Sequence, residues 1–260
     1  MNGTSESARR PVLEARGIHK RYGHVHALRG ANFAAYAGEI VALVGDNGAG
    51  KSTLIKALSG VERADAGEIL HEGRPVSIDS PIAARDLGIE TVYQDLALAN
   101  DLGPTANLFL GREILRKGLL GRLCVEDKKE MRRRTAATFA DLGVAVDVST
   151  RAVATLSGGE RQSVAVTRAV MWADRIVIFD EPTAALAASN TAKVLRLMRR
   201  IADRGRAVIL ISHDLPQVVD VADRVDVMRL GRRVARFTKS DVSADAMLAA
   251  MTGTVVHEGV

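Results

Sequence analysis

A single cysteine, Cys124, stands in 260 residues, which excludes an internal disulfide and any multi-cysteine metal site and fits a reducing cytosol. Aromatic residues make up only 3% of the chain, with one tryptophan, too few to stack a run of bases as single-strand binders do. Long hydrophobic runs are missing too: Ile40 to Val44 and Ala207 to Ile211 fall far short of the roughly 18 residues that a transmembrane helix requires. The amino-terminal MNGTSESARR carries arginines with no apolar run behind them, so no secretory signal is expected. The sequence also lacks an internal repeat, a low-complexity linker or signs of a second domain. What is present is 47% hydrophobic and 26% charged, with a mean hydropathy of +0.04, which excludes a disordered chain and gives a soluble protein with a sizeable core. Lys and Arg outnumber Asp and Glu, 36 to 31, for a net charge of +5 and a pI near 9.6. That balance fits nucleic acid, the anionic inner face of a membrane, or neither.

Short β-rich runs bounded by glycine alternate with amphipathic segments, a pattern that predicts an α/β fold with a mostly parallel sheet. Three apolar runs, Ile40 to Val44, Arg175 to Phe179 and Ala207 to Ile211, are continuous rather than alternating and read as strands buried on both faces. Each ends in polar residues, and ligands of open α/β sheets sit at those carboxyl ends. The first 40 or so residues and the segment from Gly67 to Ile78 read as short alternating strands, with turn glycines at Gly23, Gly38 and Gly73, and predict an antiparallel layer. Between Leu96 and Ala169 the pattern turns helical, with a charged stretch from Glu126 to Arg134 and apolar residues at Met131, Ala137, Phe139 and Leu142. A helical subdomain over about 96–169 is therefore expected within a single domain spanning 1–260. Val225 to Phe237 reads as two strands turning at Gly231, and Ala244 to Met251 as a closing helix.

The strongest local motif is Gly45-Asp46-Asn47-Gly48-Ala49-Gly50-Lys51-Ser52-Thr53, between a buried strand and a helical run, which matches the phosphate-binding pattern G-x-x-x-x-G-K-[ST]. Its glycines let backbone N–H groups turn toward a polyphosphate, and the helix N-terminus adds a favourable dipole. Lys51 then reaches the β- and γ-phosphates, and Ser52 offers a hydroxyl to Mg²⁺. The bland alternative is a glycine-rich turn capping an ordinary helix. A second motif, Arg175 to Pro182, delivers Asp180 and Glu181 from an apolar strand. Asp180 suits a metal held through water and Glu181 a general base; alternatively the acidic pair caps the next helix, with Pro182 in its first turn. The third, Leu156-Ser157-Gly158-Gly159-Glu160, reads locally as a capping box between Ser157 and Glu160. It also offers a second anion-binding helix N-terminus about a hundred residues after the first, which one γ-phosphate does not need but two facing chains could share.

With LSGGE standing between GDNGAGKST and VIFDEP in that order, the chain resembles the ATP-binding subunits of ABC transporters over essentially its whole length. The resemblance implies an ATPase whose two copies close head to tail. Lys51, Ser52 and the loop from Gly45 to Thr53 hold ATP and Mg²⁺ in one copy, and Ser157, Gly158 and Gly159 act from the other. It further implies that Tyr22 stacks on adenine, Gln94 touches Mg²⁺ and the attacking water, Asp180 completes the magnesium shell, Glu181 activates water, and His213 senses the γ-phosphate. Without the resemblance Tyr22, Gln94 and His213 read as a strand tyrosine, a surface amide and a structural histidine. One position departs from the family pattern. After the glutamate the family reads S-A-L-D, whose aspartate bonds across the dimer interface, whereas Thr183 to Ala187 places an alanine there.

Within the family, GDNGAGKST, the stretch from Val92 to Glu113 and LSGGERQSVAVTRAV look most like single-domain subunits of bacterial sugar importers of the ribose, xylose and fructose group. That implies integral membrane permease partners, a homodimer of ATP-binding subunits and, indirectly, a periplasmic sugar-binding protein, with the chain peripheral on the cytoplasmic side of the inner membrane. Leu96, Leu98, Leu102, Leu108 and Phe109 either receive a coupling helix from the permease or pack within the subdomain. No nucleic-acid partner is expected: repair ATPases of this class insert a long coiled coil, and no sustained heptads are present. A soluble nucleic-acid ATPase and a regulator with little turnover are the alternatives, the second kept open by Ala187.

Overall fold

The computed structural model of the chain describes residues 10–148, 152–184 and 187–254. The amino-terminal segment bearing on secretion lies mostly outside them, as do Ala185 and Leu186. The described residues form two compact units, one within 10–91, 173–182 and 198–254 and one within 92–148, 152–172, 183–184 and 187–197.

The first unit carries two sheets. In the antiparallel one, β1 (Leu13–Tyr22) and β2 (Val25–Ala35) form a hairpin, with β4 (Ala66–His71) and β5 (Arg74–Val76) completing the order β2-β1-β4-β5. The other runs β10-β9-β3-β8-β7-β6, with β3 (Ile40–Val44), β6 (Ile89–Val92), β7 (Ile176–Asp180), β8 (Ala207–Ile211), β9 (Arg224–Arg229) and β10 (Arg232–Thr238). Strands β9, β3, β8 and β7 pair in parallel and β10 closes the edge antiparallel to β9. All five residues of β3 and of β8 are buried, as expected for central parallel strands covered on both faces. The run predicted from Arg175 sits one residue later and ends on Asp180 itself. The expected pair turning at Gly231 is β9 and β10, and β9 joins the main sheet beside β3.

Register is what positions the site. Leu43 of β3 faces Ile211 of β8, and Ile211 faces Asp180 of β7. These residues form one row across three neighbouring strands, so the chain leaves all three strands at the same edge.

In the second unit, α5 (Lys128–Leu142) and α6 (Gly158–Trp172) accompany the short α3 (Pro104–Phe109) and α4 (Leu119–Arg122). Leu108, Phe109, Met131, Phe139, Val153, Leu156 and Val164 make its apolar core. The Asp127 carboxylate caps α5 by accepting the Glu130 N–H at 3.0 Å, and Gly143, left-handed with φ 66°, ends it. Two details differ from the sequence pattern. Ala137 is exposed and Thr135 is buried in its place, its hydroxyl satisfied by donating to the Met131 carbonyl at 3.0 Å. Residues 96–102 are irregular rather than helical, held by the fully buried Asn107, whose amide accepts from Ala99 N and donates to the carbonyls of Ala99, Leu102 and Gly103.

Helix α7 (Ala188–Asp203) spans both units. Helices α1 (Lys51–Leu58), α2 (Pro81–Asp86), α8 (Leu215–Val221) and α9 (Ala244–Thr252) belong to the first unit.

Candidate active site

The loop from Gly45 to Gly50 joins the end of β3 to α1. Gly45 (φ 152°), Gly48 (φ 80°) and Gly50 (φ 103°) all hold positive φ, which side chains with a Cβ adopt only at a cost. At Gly45 space also forbids a side chain, because a Cβ there would overlap the Met228 carbonyl oxygen. Asp46, Asn47, Gly48 and Ser52 are exposed, whereas Ala49, Gly50 and Lys51 are buried and Thr53 is half-buried. The Lys51 ammonium donates to the carbonyls of Gly45 at 2.6 Å and Asp46 at 3.0 Å. Burial lowers its pKa, opposed by the charges of Glu181, Asp46 and Asp180. A buried ammonium at a helix N-terminus, beside a glycine-rich loop, is suited to a polyphosphate.

Asp180 ends β7 and Glu181 follows it. Burial pushes the Asp180 carboxyl above the usual aspartate value; the Glu181 charge adds to the rise and Lys51 opposes it. Glu181 sits in the left-handed region at φ 52° with its N–H donating to the Ile211 carbonyl at 3.0 Å. Such a backbone costs of order 1–3 kcal/mol and persists where the surroundings fix it, often at functional sites. His213, two residues beyond β8, brings Nδ1 to 2.5 Å from Glu181 Oε2; its side chain is 72% exposed and that of Glu181 only 19%. The helix-capping alternative for the acidic pair does not hold: Pro182 to Ala184 form a turn, and α7 begins at Ala188. Lys51, Asp180, Glu181 and His213 thus emerge together from the aligned ends of β3, β7 and β8.

Tyr22 ends β1, 42% exposed. Its hydroxyl donates to Glu62 Oε2, the Lys20 ammonium lies 5.8 Å from its ring centroid, and Glu62 pairs with Lys56 of α1 at 2.8 Å. Glu62 was not legible in the sequence, since it meets Tyr22 only through the fold.

Three further groups belong to the second unit. Gln94 is exposed in the bend after β6, and Arg168 of α6 fixes the chain just beyond it by donating to the carbonyls of Leu96 at 2.9 Å and Ala97 at 2.7 Å. Ser157 and Glu160 make the expected capping box: Ser157 N donates to Glu160 Oε2 at 2.8 Å and Glu160 N to Ser157 Oγ at 3.3 Å. Gly158 has open space around it, whereas a Cβ on Gly159 would lie 2.5 Å from the Asn190 amide, so Gly159 allows the start of α7 to approach the start of α6. Leu108 and Phe109 are core residues, while Leu102 is 38% exposed. Leu102 lines a cavity of about 510 Å³ with Thr105, Phe109, Leu110 and Arg132.

A phosphate-type loop between a buried parallel strand and a helix, with carboxylates at the end of a nearby strand, defines an α/β nucleotide-binding protein of the phosphate-loop class. The model of a family described as ABC transporter matches residues 28–184. The chain belongs to that family, as one of its ATP-binding proteins. It is similar to a fructose import ATP-binding protein of Rhizobium meliloti, 47% identical over 95% of both chains. It is also similar to a xylose/arabinose import ATP-binding protein of Sulfolobus acidocaldarius, 42% identical over 93% of this chain and 94% of that one. A ribose import ATP-binding protein of Rubrobacter xylanophilus is 43% identical, and this chain spans 48% of its length. Among solved structures, a nucleotide-free ATP-binding cassette from an ABC transporter shares the fold, with a TM-score of 0.79 at 23% identity, covering 95% of this chain and 98% of that one.

Proposed function

We propose that this chain hydrolyses ATP to drive import of a monosaccharide through a membrane permease. The observation that carries the chemistry is the row Leu43, Ile211 and Asp180, which gathers Lys51, Asp180, Glu181 and His213 at one sheet edge. The solute class rests on relatives named for import of fructose, xylose or arabinose, and ribose.

In this reading Lys51 exchanges the carbonyls of Gly45 and Asp46 for the β- and γ-phosphates, the loop amides take the remaining phosphate oxygens, and Tyr22 stacks on adenine. Glu181 accepts a proton from water as the water oxygen bonds to the γ-phosphorus and the bond to the ADP oxygen breaks, giving ADP and phosphate. His213 holds the Glu181 carboxylate through Nδ1, leaving Nε2 to face a γ-phosphate oxygen. Ser52 and Asp180 supply hard oxygen donors that suit Mg²⁺, which keeps waters and binds substrate phosphates rather than an all-protein cage; Gln94 is given its role toward that ion by the family resemblance. Among the described residues no cluster of three or more His, Cys, Asp or Glu forms such a cage. When bound, that ion neutralises charge on the phosphates.

Residues 1–260 act as one ATP-binding domain, with the helical part, about 96–169, facing the permease through the cavity beside Leu102. A second copy supplies Ser157, Gly158 and Gly159 to each ATP. No helix among the described residues is long and apolar enough to cross a membrane, so association with the cytoplasmic side of the inner membrane comes through the permease, and a periplasmic sugar-binding protein delivers the solute. Glu181→Gln provides the test: ATP binding is retained and turnover falls by about 10²–10⁴-fold, as for loss of a general base. Near-normal hydrolysis would remove Glu181 from its role, and a chain that purifies from membranes without a permease would contradict the transport reading.

A further inference from the structure

A loop peptide that aims its N–H at a phosphate turns its carbonyl to the other side, where the carbonyl needs a donor of its own. In a trans peptide the C=O and N–H point in opposite directions. The Ala49–Gly50 peptide therefore presents the Gly50 N–H inward only while the Ala49 carbonyl is held on the outer side. Gly50, at φ 103°, has the backbone freedom to let that peptide rotate, and Ala49 is buried at 4% exposure, away from water that could satisfy a released carbonyl.

The donor that holds the carbonyl comes from 182 residues later in the chain. Gly231 N donates to the Ala49 carbonyl at 3.0 Å, and the Gly231 carbonyl accepts from Arg29 N at 2.9 Å. Residue 231 thereby ties the loop to β2. The approach is so close that a Cβ on Gly231 would lie 2.7 Å from the Ala27 carbonyl oxygen.

The turn carrying Gly231 is built for position at a cost in local stability. Leu230 (φ 48°) and Gly231 (φ 80°) are both left-handed, the backbone of a tight hairpin turn that Asn-Gly or Asp-Gly usually fills. Here an exposed leucine occupies the first place. The strands behind it are pinned by the fully buried Asp226, which accepts from Arg236 at 2.7 and 3.0 Å and from Arg224 at 3.2 Å. The hairpin is thus fixed at its base and spans the gap to the loop at its tip.

We propose that Gly231 is a positioning residue for nucleotide binding: its N–H fixes the Ala49–Gly50 peptide plane and so keeps the Gly50 amide aimed at the phosphates. This rests on the ATP reading of the loop. Gly231→Ala adds a methyl against Ala27 and displaces the N–H. Replacing the Gly231 N–H with an ester oxygen, by semisynthesis of the carboxy-terminal segment, removes the donor and adds no bulk, so it keeps the test valid if the alanine variant fails to fold. The ester variant raises KM for ATP about tenfold, the worth of one ordinary hydrogen bond. It changes kcat by less than about twofold, because the amides of a phosphate loop cradle the α- and β-phosphates, and a contact made alike in ground and transition states affects binding rather than turnover. A general loss of structure would instead lower kcat together with the melting temperature. Lys51→Ala run beside it separates the two levels. Loss of ATP binding in Lys51→Ala with an unchanged KM in the ester variant overturns the role of Gly231 alone, and failure of the unmodified chain to bind ATP overturns the nucleotide reading itself.

Discussion

At the scale of single residues, burial at the site disfavours the charges of Asp180 and Lys51. Asp180 is held above its ordinary pKa by burial and by Glu181, and Lys51 below its own by burial. For a carboxyl whose folded pKa is raised, the stabilising contribution is fully present below the ordinary aspartate value and is lost as pH rises through the raised one. Asp180→Asn removes that charge, so thermal melting without nucleotide shifts upward at neutral pH and the shift shrinks as the pH approaches the ordinary aspartate value of 3.8, while Mg²⁺-dependent turnover falls by about 10²-fold or more. A melting temperature lowered at pH 7 would mean that Asp180 is a net stabiliser instead. The glycines of the loop, Lys51 and the acidic pair were legible in the sequence because each follows an apolar strand that announces its position. His213, Tyr22 and Gln94 carried no local signal and were found only through the family resemblance. Glu62 and Gly231 were not found, since each acts across a fold separation that no spacing rule covers.

At the scale of elements, the three buried strands and helices α5 and α6 were legible, because burial on two faces and helical periodicity each leave a distinct pattern, whereas α7, the longest helix at 16 residues, was not singled out. The short β6 and α2 were not, having too few residues to show a period. In α5 the inward place went to Thr135 rather than Ala137: Thr135 lies four residues after Met131, and the helix supplies a carbonyl for its hydroxyl. The clearest departure from family pattern, Ala187, also has an element-scale consequence. Its carbonyl accepts the N–H groups of Asn190 at 2.9 Å and Thr191 at 3.0 Å, which makes it the cap of α7 with no side-chain oxygen to offer. Ala187→Asp therefore raises stability by about 1 kcal/mol, read as a melting-temperature increase of about 2–4 °C for a chain of this size. An unchanged or lowered melting temperature would show that the first turn of α7 is set by something other than its cap.

At the scale of the whole molecule, two glycine-containing motifs open helices at Lys51 and at Gly158, in separate compact units. We propose that they serve two different ATP molecules, each shared by a pair of chains. The sequence suggested this through the surplus of anion sites, but a single chain cannot contain the arrangement. It is tested most directly by mixing two inactive variants, Lys51→Ala and Ser157→Arg, and measuring ATPase activity after exchange of chains. Each variant alone breaks every shared site. Random re-pairing makes half the dimers mixed, each with one intact site of two, so the mixture regains up to about a quarter of wild-type activity. A mixture as inactive as its components, despite demonstrated exchange, would contradict the shared site and place all of the chemistry within one chain.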